Sequence, residues 1–538
     1  MNIPYLASSN EYPMPTQLPS SFLTALVGLA ILTATLSVHA NNITTSAGSL
    51  TGDNGSQVYV KFDVTWENSW RSSSAPGNWD AAWIFVKYRT ADGLWRHASL
   101  SNTGHVAPQP TIISTGRVDP SSPYNAFTNP GVGVFLLYDE EFFGAGTITA
   151  NDVQLVWEYN VDLLGLGSVE EVRVFAIEMV FVPEGTFAAG SGGTELDAFT
   201  LTTINTATAN TVPAGMGILG GQAGGYPTGQ TAPVVTWPNG FGDFYCMKYE
   251  VSQQGYVDFL NTLTYSQQAG RTANAPNSAA GTGALSLDNL FRNGIDIQTP
   301  GVDGTTPALY ACNLNGNTLY GEPTDGKDIT CNWLSWGDLT AYLDWSGLRP
   351  MTELEFEKAC RGSELPVANE YPWGSTGIAT DRYQLNNVGA ANEGISVNYS
   401  TTLGNALYSG TGHLGDEGPL RVGTFAANSA TIGRITAGAG YYGAMELGGG
   451  VYEATVTIAN AGGRAYAGTH GDGELDAAGD PDGPTWPEPS TADGAGYRGG
   501  EWRTSEATEL QVSNRGVATT SVVWRGYFSG GRGVRSAP

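Results

Sequence analysis

Positive charge is what this chain has least of. Its 538 residues carry 24 Lys and Arg against 51 Asp and Glu, a formal charge of −27. Phosphate contacts draw on Lys and Arg, so general nucleic-acid binding is excluded. The acidity suits a protein kept soluble outside the cell. Cysteine is scarce as well, at four residues, and no CxxC or Cys/His spacing occurs, which excludes the usual zinc sites. Histidine stops at five. His97 and His105 each stand alone in strand-like stretches and read as solvated or structural. Charged residues make up only 14% of the chain, while Gly reaches 73 and Pro 28. That balance excludes a fold of long helices and favours turns and irregular loops.

What is present can build large cores. Hydrophobic residues make up 41%, with 14 Trp, 25 Tyr and 18 Phe, so wholesale disorder is excluded. The length implies more than one core. The apolar run FLTALVGLAILTATLSVHA at residues 22–40 is short for a membrane span and ends in small residues. It suits a secretory signal cleaved after Ala40, although no Lys or Arg precedes it. The expected location is therefore secreted or cell surface, with membrane contact only through this segment if it stays attached. Export places the cysteines in an oxidising compartment. Cys312 and Cys331 bracket the loop NLNGNTLYGEPTDGKDIT, which a disulfide would staple, and Cys246 could then pair with Cys360. Four cysteines allow three connectivities.

Residues 41–177 read as β throughout. QVYVKFDVTW alternates, with Val58, Val60, Phe62, Val64 and Trp66 on one face, and AAWIFVKYR, VGVFLLYD and DVQLVWEY follow between turns. The pattern predicts an all-β sandwich. The stretch EVRVFAIEMVFVPEGTF then runs on without a linker, so two domains, 41–177 and 178–538, are expected to meet rigidly. The second half carries short capped helices. Ser252 precedes one with Tyr256, Phe259 and Leu260 on its inner face. Ser335 with Asp338, and Thr352 with Glu355, read as capping boxes of two more. The acidic loop HGDGELDAAGDPDG at 470–483 lacks the glycine of an EF-hand turn and reads as solvated.

Short motifs occur in a telling order: FVPEGTFAAGS, FYCMKYEVSQQGYVDFLN, NWLSWGDLTAYLDWSGLRPMTELEFEKACRG, YPWG, GAMELGGGVYEAT, RGGEW and the terminal GGRGVR. In this order they resemble the formylglycine-generating enzyme (sulfatase-modifying factor) family over residues 178–538. The resemblance implies an α+β architecture, a C-type lectin-like domain preceded by the β-sandwich. Family enzymes oxidise a substrate cysteine with copper held by two thiolates. The matching positions here are Ala507 and Val512 in ATELQV, which implies no catalytic residues and no required cofactor. Related sulfoxide synthases use clustered histidines, and this half has only His413 and His470. The family's structural calcium sites imply Asn387 with the Val388 carbonyl, and Glu417 or Asp416 as partner. At the second such site Gly450 stands where the family has Asn.

The tail GYRGGEWRTSEATELQVSNRGVATTSVVWRGYFSGGRGVRSAP frames loose contents with regular Gly and Arg. It resembles the variable proteins of diversity-generating retroelements, in which exposed residues vary on a fixed frame, here 498–535. Arg498, Arg515, Arg532 and Arg535 read as frame, paired with buried carboxylates. The contents give the ligand-binding candidates: Arg503, Thr504, Ser505, Glu506, Thr508, Asn514, Thr519, Ser521, Val523, Trp524, Tyr527 and Phe528. Val522 joins their apolar cluster. Large aromatic and Arg side chains supply contact area, and Ser, Thr and Asn adapt. The expectation is a secreted, non-catalytic binder of a protein or glycan. The alternatives are a metal-dependent oxidase and a structural surface or matrix protein.

Overall fold

The computed structural model describes residues 43–115, 131–143, 146–162, 165–207, 231–286, 290–317, 319–412 and 417–538, all within one compact unit that starts at Val38. The apolar run at 22–40, His413 and Asp416 lie outside the described residues. Among the described residues no helix is long and apolar enough to cross a membrane.

Alternating sequence builds the first sheet. The strands of the two main sheets before residue 183 are β1 (Thr44–Thr45), β2 (Ser49–Thr51), β3 (Val58–Glu67), β4 (Asp80–Thr90), β5 (Trp95–His97), β6 (Thr111–Thr115), β7 (Val134–Tyr138), β8 (Thr147–Trp157) and β9 (Val169–Val182). β3 buries every second residue, the five read from its alternation. It pairs antiparallel with β8 from Val58 opposite Trp157 to Glu67 opposite Thr147, and with β1 and β2. Burial of one face and hydration of the other is the reason period two appears here.

The second sheet is longer and belongs to both halves of the chain. Added to it are β10 (Phe244–Met247), β11 (Arg349–Pro350) and, from the tail, β15 (Gly533–Ser536), in the order β11-β15-β10-β9-β4-β7-β6, with β5 also on β4. β9 pairs with β4 from Val169 to Val180 and with β10 from Met179 to Val182. Residue 177 therefore lies inside one continuous strand. β4 explains its own unbroken apolar run. Ala82, Ile84, Val86 and Tyr88 pack toward β3 and β8, while Ala81, Trp83 and Phe85 pack toward the helices. A strand covered on both faces has no polar side to show. The Trp83 indole also donates to the Ser346 carbonyl at 2.8 Å, fastening sheet to helix. Trp83→Ala costs about 3–5 kcal/mol on this basis.

Three helices rest on this sheet or beside its tail strand: α1 (Gln253–Leu260), α2 (Trp336–Trp345) and α3 (Glu353–Arg361). Their N-termini form as the sequence requires. Ser252 accepts from the Gly255 amide, and Ser335–Asp338 and Thr352–Glu355 close reciprocal capping boxes. Each such cap is worth about 1 kcal/mol. A third, small sheet joins β12 (Tyr452–Val456), β13 (Ala495–Arg498) and β14 (Ser529–Gly530).

The cysteines depart from expectation. All four are free and buried, so neither Cys312–Cys331 nor Cys246–Cys360 is bridged. Each expected pair does share one apolar cluster. Cys246 sits in mid-sheet, opposite Val180 on one side and Val534 on the other. Burial pushes its thiol up to about 12. These thiols pack as small hydrophobes.

Candidate functional site

The frame is set by helix spacing. Glu353, Glu357 and Arg361 recur every four residues, so α3 presents two carboxylates and a guanidinium on one face. Arg498, the last residue of β13, reaches Glu353 Oε2 at 3.1 Å and Glu357 Oε1 at 2.8 Å. Arg515 grips the same Glu353 through Nε at 2.7 Å and Nη2 at 3.0 Å. All of these groups are fully buried. Burial raises the Glu353 pKa, yet Arg515 and Arg498 outweigh it and hold the carboxyl below its ordinary value. Arg532 pairs with Glu453 on β12 at 2.5 Å. Arg535 donates to the Gly347 carbonyl and lies over the Trp83 ring at 4.4 Å. All four frame arginines are buried; Arg498, Arg515 and Arg532 pair with carboxylates as expected, whereas Arg535 is anchored by the Gly347 carbonyl and the Trp83 ring.

Between the anchors the chain divides into surface and support. Arg503, Ser505, Glu506, Thr508, Thr519 and Ser521 are exposed, and Trp524 is 77% exposed. Val523, Tyr527 and Phe528 are half-buried. Thr504 and Asn514 correct the expectation. Both are buried, because their side chains staple turns. Thr504 Oγ1 accepts from the Glu501 amide at 3.1 Å. The Asn514 amide group donates to the Thr508 carbonyl and accepts from the Gly516 amide. Val522 is fully buried, its carbonyl capping the Trp336 amide at 2.8 Å. It belongs to the core.

Two residues of this surface come from elsewhere in the chain. Phe291 and Trp333 have φ of 55° and 64°, a region that bulky residues rarely enter and that costs about 1–3 kcal/mol each. Their rings cluster with the tail aromatics: Phe291 lies 5.3 Å from Trp502 and 5.2 Å from Tyr527, and Trp333 lies 6.2 Å from Tyr527. The Arg503 guanidinium sits over Tyr527 at 5.5 Å and Phe291 at 6.0 Å. Beside it lies a polar group. The Tyr452 hydroxyl donates to Glu509 at 2.6 Å. Burial, with Glu509 nearby, pushes Glu501 up to about 7 despite the Arg503 amide that it accepts. No sequence period links residues 291, 333 and 503. Strained aromatics under a cation form a ready contact surface for a planar or apolar partner group.

Ala507 and Val512 are the positions expected, from the resemblance, to match the family's thiolates. Ala507 opens a short 3-10 turn (Ala507–Leu510), and Val512 is fully buried in the cluster that holds Cys246 and Cys360. Neither side chain offers a metal ligand.

For cations the picture is mixed. Asn387 is exposed with φ 52°, its amide reaching the Asn392 carbonyl at 3.4 Å. Val388 and Glu417 are also exposed. The carboxylate that organises this loop is Glu393, which accepts from the Gly389 amide and pairs with Arg292. At Gly450 a Cβ would meet Glu250 Oε1 at 2.9 Å, so glycine there makes room for a buried acid. Burial, with Glu453 nearby, pushes the Glu250 carboxyl well above its ordinary value. Glu446 is pushed up to about 7, also by burial. The Oε2 atoms of Glu446 and Glu453 have no hydrogen-bond partner. These acids already have partners: Glu453 pairs with Arg532, and Glu250 accepts from the Val451 amide and the Thr330 hydroxyl. Among the described residues Asp344, Asp472 and Asp482 also bring carboxylates within 4.8 Å of one another. There the Asp472 and Asp482 amides already satisfy Asp344, and Lys87 donates to the adjoining Gly473 carbonyl.

Residues 168–536 match the family model described as a sulfatase-modifying factor enzyme 1-like domain. A curated relative, the formylglycine-generating enzyme of Thermomonospora curvata, is 27% identical over 183 residues, or 32% of this chain and 55% of that protein. The chain thus spans a little over half the length of this relative.

Proposed function

Because the chain belongs to the sulfatase-modifying factor enzyme 1-like family, we propose that it keeps the family scaffold as a non-catalytic receptor, binding a protein or glycan through its tail face. The observation that carries this is the contrast within the tail. Buried arginines lock its frame, while Trp524 stands 77% exposed and Arg503 lies over the rings of Tyr527 and Phe291. Exposed Trp and Arg are the side chains that dominate recognition surfaces. The absence of any cysteine after Cys360 supports the non-catalytic reading. In this reading residues 22–40 direct export, the β-rich segment 41–177 presents the receptor, and any bound calcium is structural. The exposed positions between the anchors are those a retroelement would rewrite. A neighbouring reverse transcriptase gene with a near-copy of the last coding segment, differing at adenines, checks that point.

The test is direct. The full chain, Trp524→Ala and Arg503→Ala are screened on glycan and surface-protein arrays. Hits lost in both variants, with unchanged melting, support the assignment; hits retained in both refute it.

A second reading is an oxidase, favoured by the name of the Thermomonospora curvata relative. Copper retained stoichiometrically and oxygen uptake with a cysteine peptide would establish it.

A further inference from the structure

A groove runs along one edge of the shared sheet, far in sequence from the tail. β4 covers one edge of β9 from Val169 to Val180, but β10 covers the other only from Met179 to Val182. Among the described residues no strand pairs with that second edge between 170 and 178. The direction of the backbone groups follows from pairing. Val174 stands opposite Val86, and the Val86 carbonyl is taken by the Ala98 amide on the far side of β4. Val86 and Val174 therefore turn their amides and carbonyls away from each other. By period two, Val172, Val174 and Ala176 all direct them out of the sheet. One of these groups is in use: the Thr45 hydroxyl donates to the Val174 carbonyl at 2.7 Å.

Space lies against this edge. A cavity of 630 Å³ is lined by residues 170–177 in unbroken sequence, by Gln254, Gly255 and Asp258 of α1, by Tyr342 and Trp345 of α2, and by residues 43–48 as a roof. Consecutive strand residues of both parities can line one cavity only if it follows the backbone edge. A second cavity of 150 Å³ continues it past Ala176, Ile177 and Asp258 to Lys327 and Asp328. The helix wall joins apolar rings to an acid. Asp258 receives only the Gln254 amide, at 2.8 Å, and burial pushes its carboxyl up to about 6. Glu170 and Glu171 on the strand side already pair with Arg89 and Arg173, so Asp258 is the acid left for an incoming cation.

We propose that this groove binds an extended peptide segment of a partner protein, which adds as a strand to β9 and directs a basic side chain at Asp258. Main-chain bonds to Val172, to the Val174 amide and to Ala176 supply the affinity, and alternate side chains reading the helix wall supply selectivity. The preferred segment has Lys or Arg flanked two residues away by apolar residues, which meet Phe175, Tyr342 and Trp345. Asp258 matches that charge and rejects acidic strands.

The probe is a fluorescein-labelled, acetylated Val-Thr-Lys-Thr-Val-Thr peptide with the full chain. Two N-methylated versions, modified on complementary alternate residues, separate main-chain from side-chain binding. Strand addition predicts that one version binds like the parent and the other about 25-fold weaker, since it loses the bonds to the Val172 and Ala176 carbonyls and each counts for roughly a factor of five. It also predicts slowed amide exchange in residues 170–177, and weaker binding by Asp258→Asn with the fold retained. Equal binding by both versions, or no protection of that segment at saturation, overturns the proposal. Protection that appears without peptide and rises with protein concentration assigns the edge to a second copy and equally overturns it. Trp524→Ala leaves this binding unchanged, so the result stands apart from the tail-face reading.

Discussion

Glu353→Gln tests the frame most severely. The Glu353 carboxylate accepts from Arg515 twice, from Arg498 once, from the Ile458 amide at 2.9 Å and from the Thr457 hydroxyl at 3.2 Å. Glutamine keeps the shape but removes the charge, and turns an N–H group toward guanidinium donors. Three charge-assisted bonds weaken, and the Arg498–Arg515 pair is left with Glu357 as its remaining carboxylate. Breaking a buried ion pair on one side costs about 3–5 kcal/mol. Urea m-values rise with size above the roughly 1–3 kcal/mol/M of small proteins, so the urea midpoint of this large unit falls by about 1 M. The loss should centre on the tail, so amide exchange at 496–515 rises before that of β3. Sign follows from linkage. The Glu353 pKa is lowered on folding, so its contribution is complete above the unfolded value and fades as pH falls through the folded one. The variant and the native protein therefore converge in stability in acid. A midpoint shift equivalent to under 1 kcal/mol at neutral pH would refute the claim that this carboxylate holds the tail.

Other expectations follow from the same geometry. Trp524→Ala changes stability by less than about 0.5 kcal/mol, because the side chain is exposed; calorimetry checks this. Burial, aided by Asp472 and Asp482, raises Asp344 to about 7, so its penalty on folding grows as pH rises from the unfolded value through 7. Asp344→Asn should accordingly flatten the fall in melting temperature between pH 5 and pH 8. A thiol reagent should titrate all four cysteines in denaturant and none in the folded chain, and reductant should leave the melting temperature unchanged.

Local features of this chain were open to reading because their causes are local. The alternation of β3 and the caps at Ser252, Ser335 and Thr352 each depend on a few neighbouring residues. The motif order around RGGEW sufficed for the family. Side-chain fate within a loop was another matter. Thr504 and Asn514 look like contact residues by type, yet turn hydrogen bonds bury them, while Val522 is drawn into the core.

The sequence by itself determined the strand periods and the helix starts, since covalent neighbours and dihedral preferences decide these within a turn or two. Only the tertiary structure decided that β9 serves both halves of the chain, that no strand among the described residues covers its outer edge, and that Phe291 and Trp333 meet Tyr527. Those outcomes depend on which surfaces remain to be buried after distant segments pack. A side chain's environment is set by partners hundreds of residues away, and no periodicity in its own segment records them.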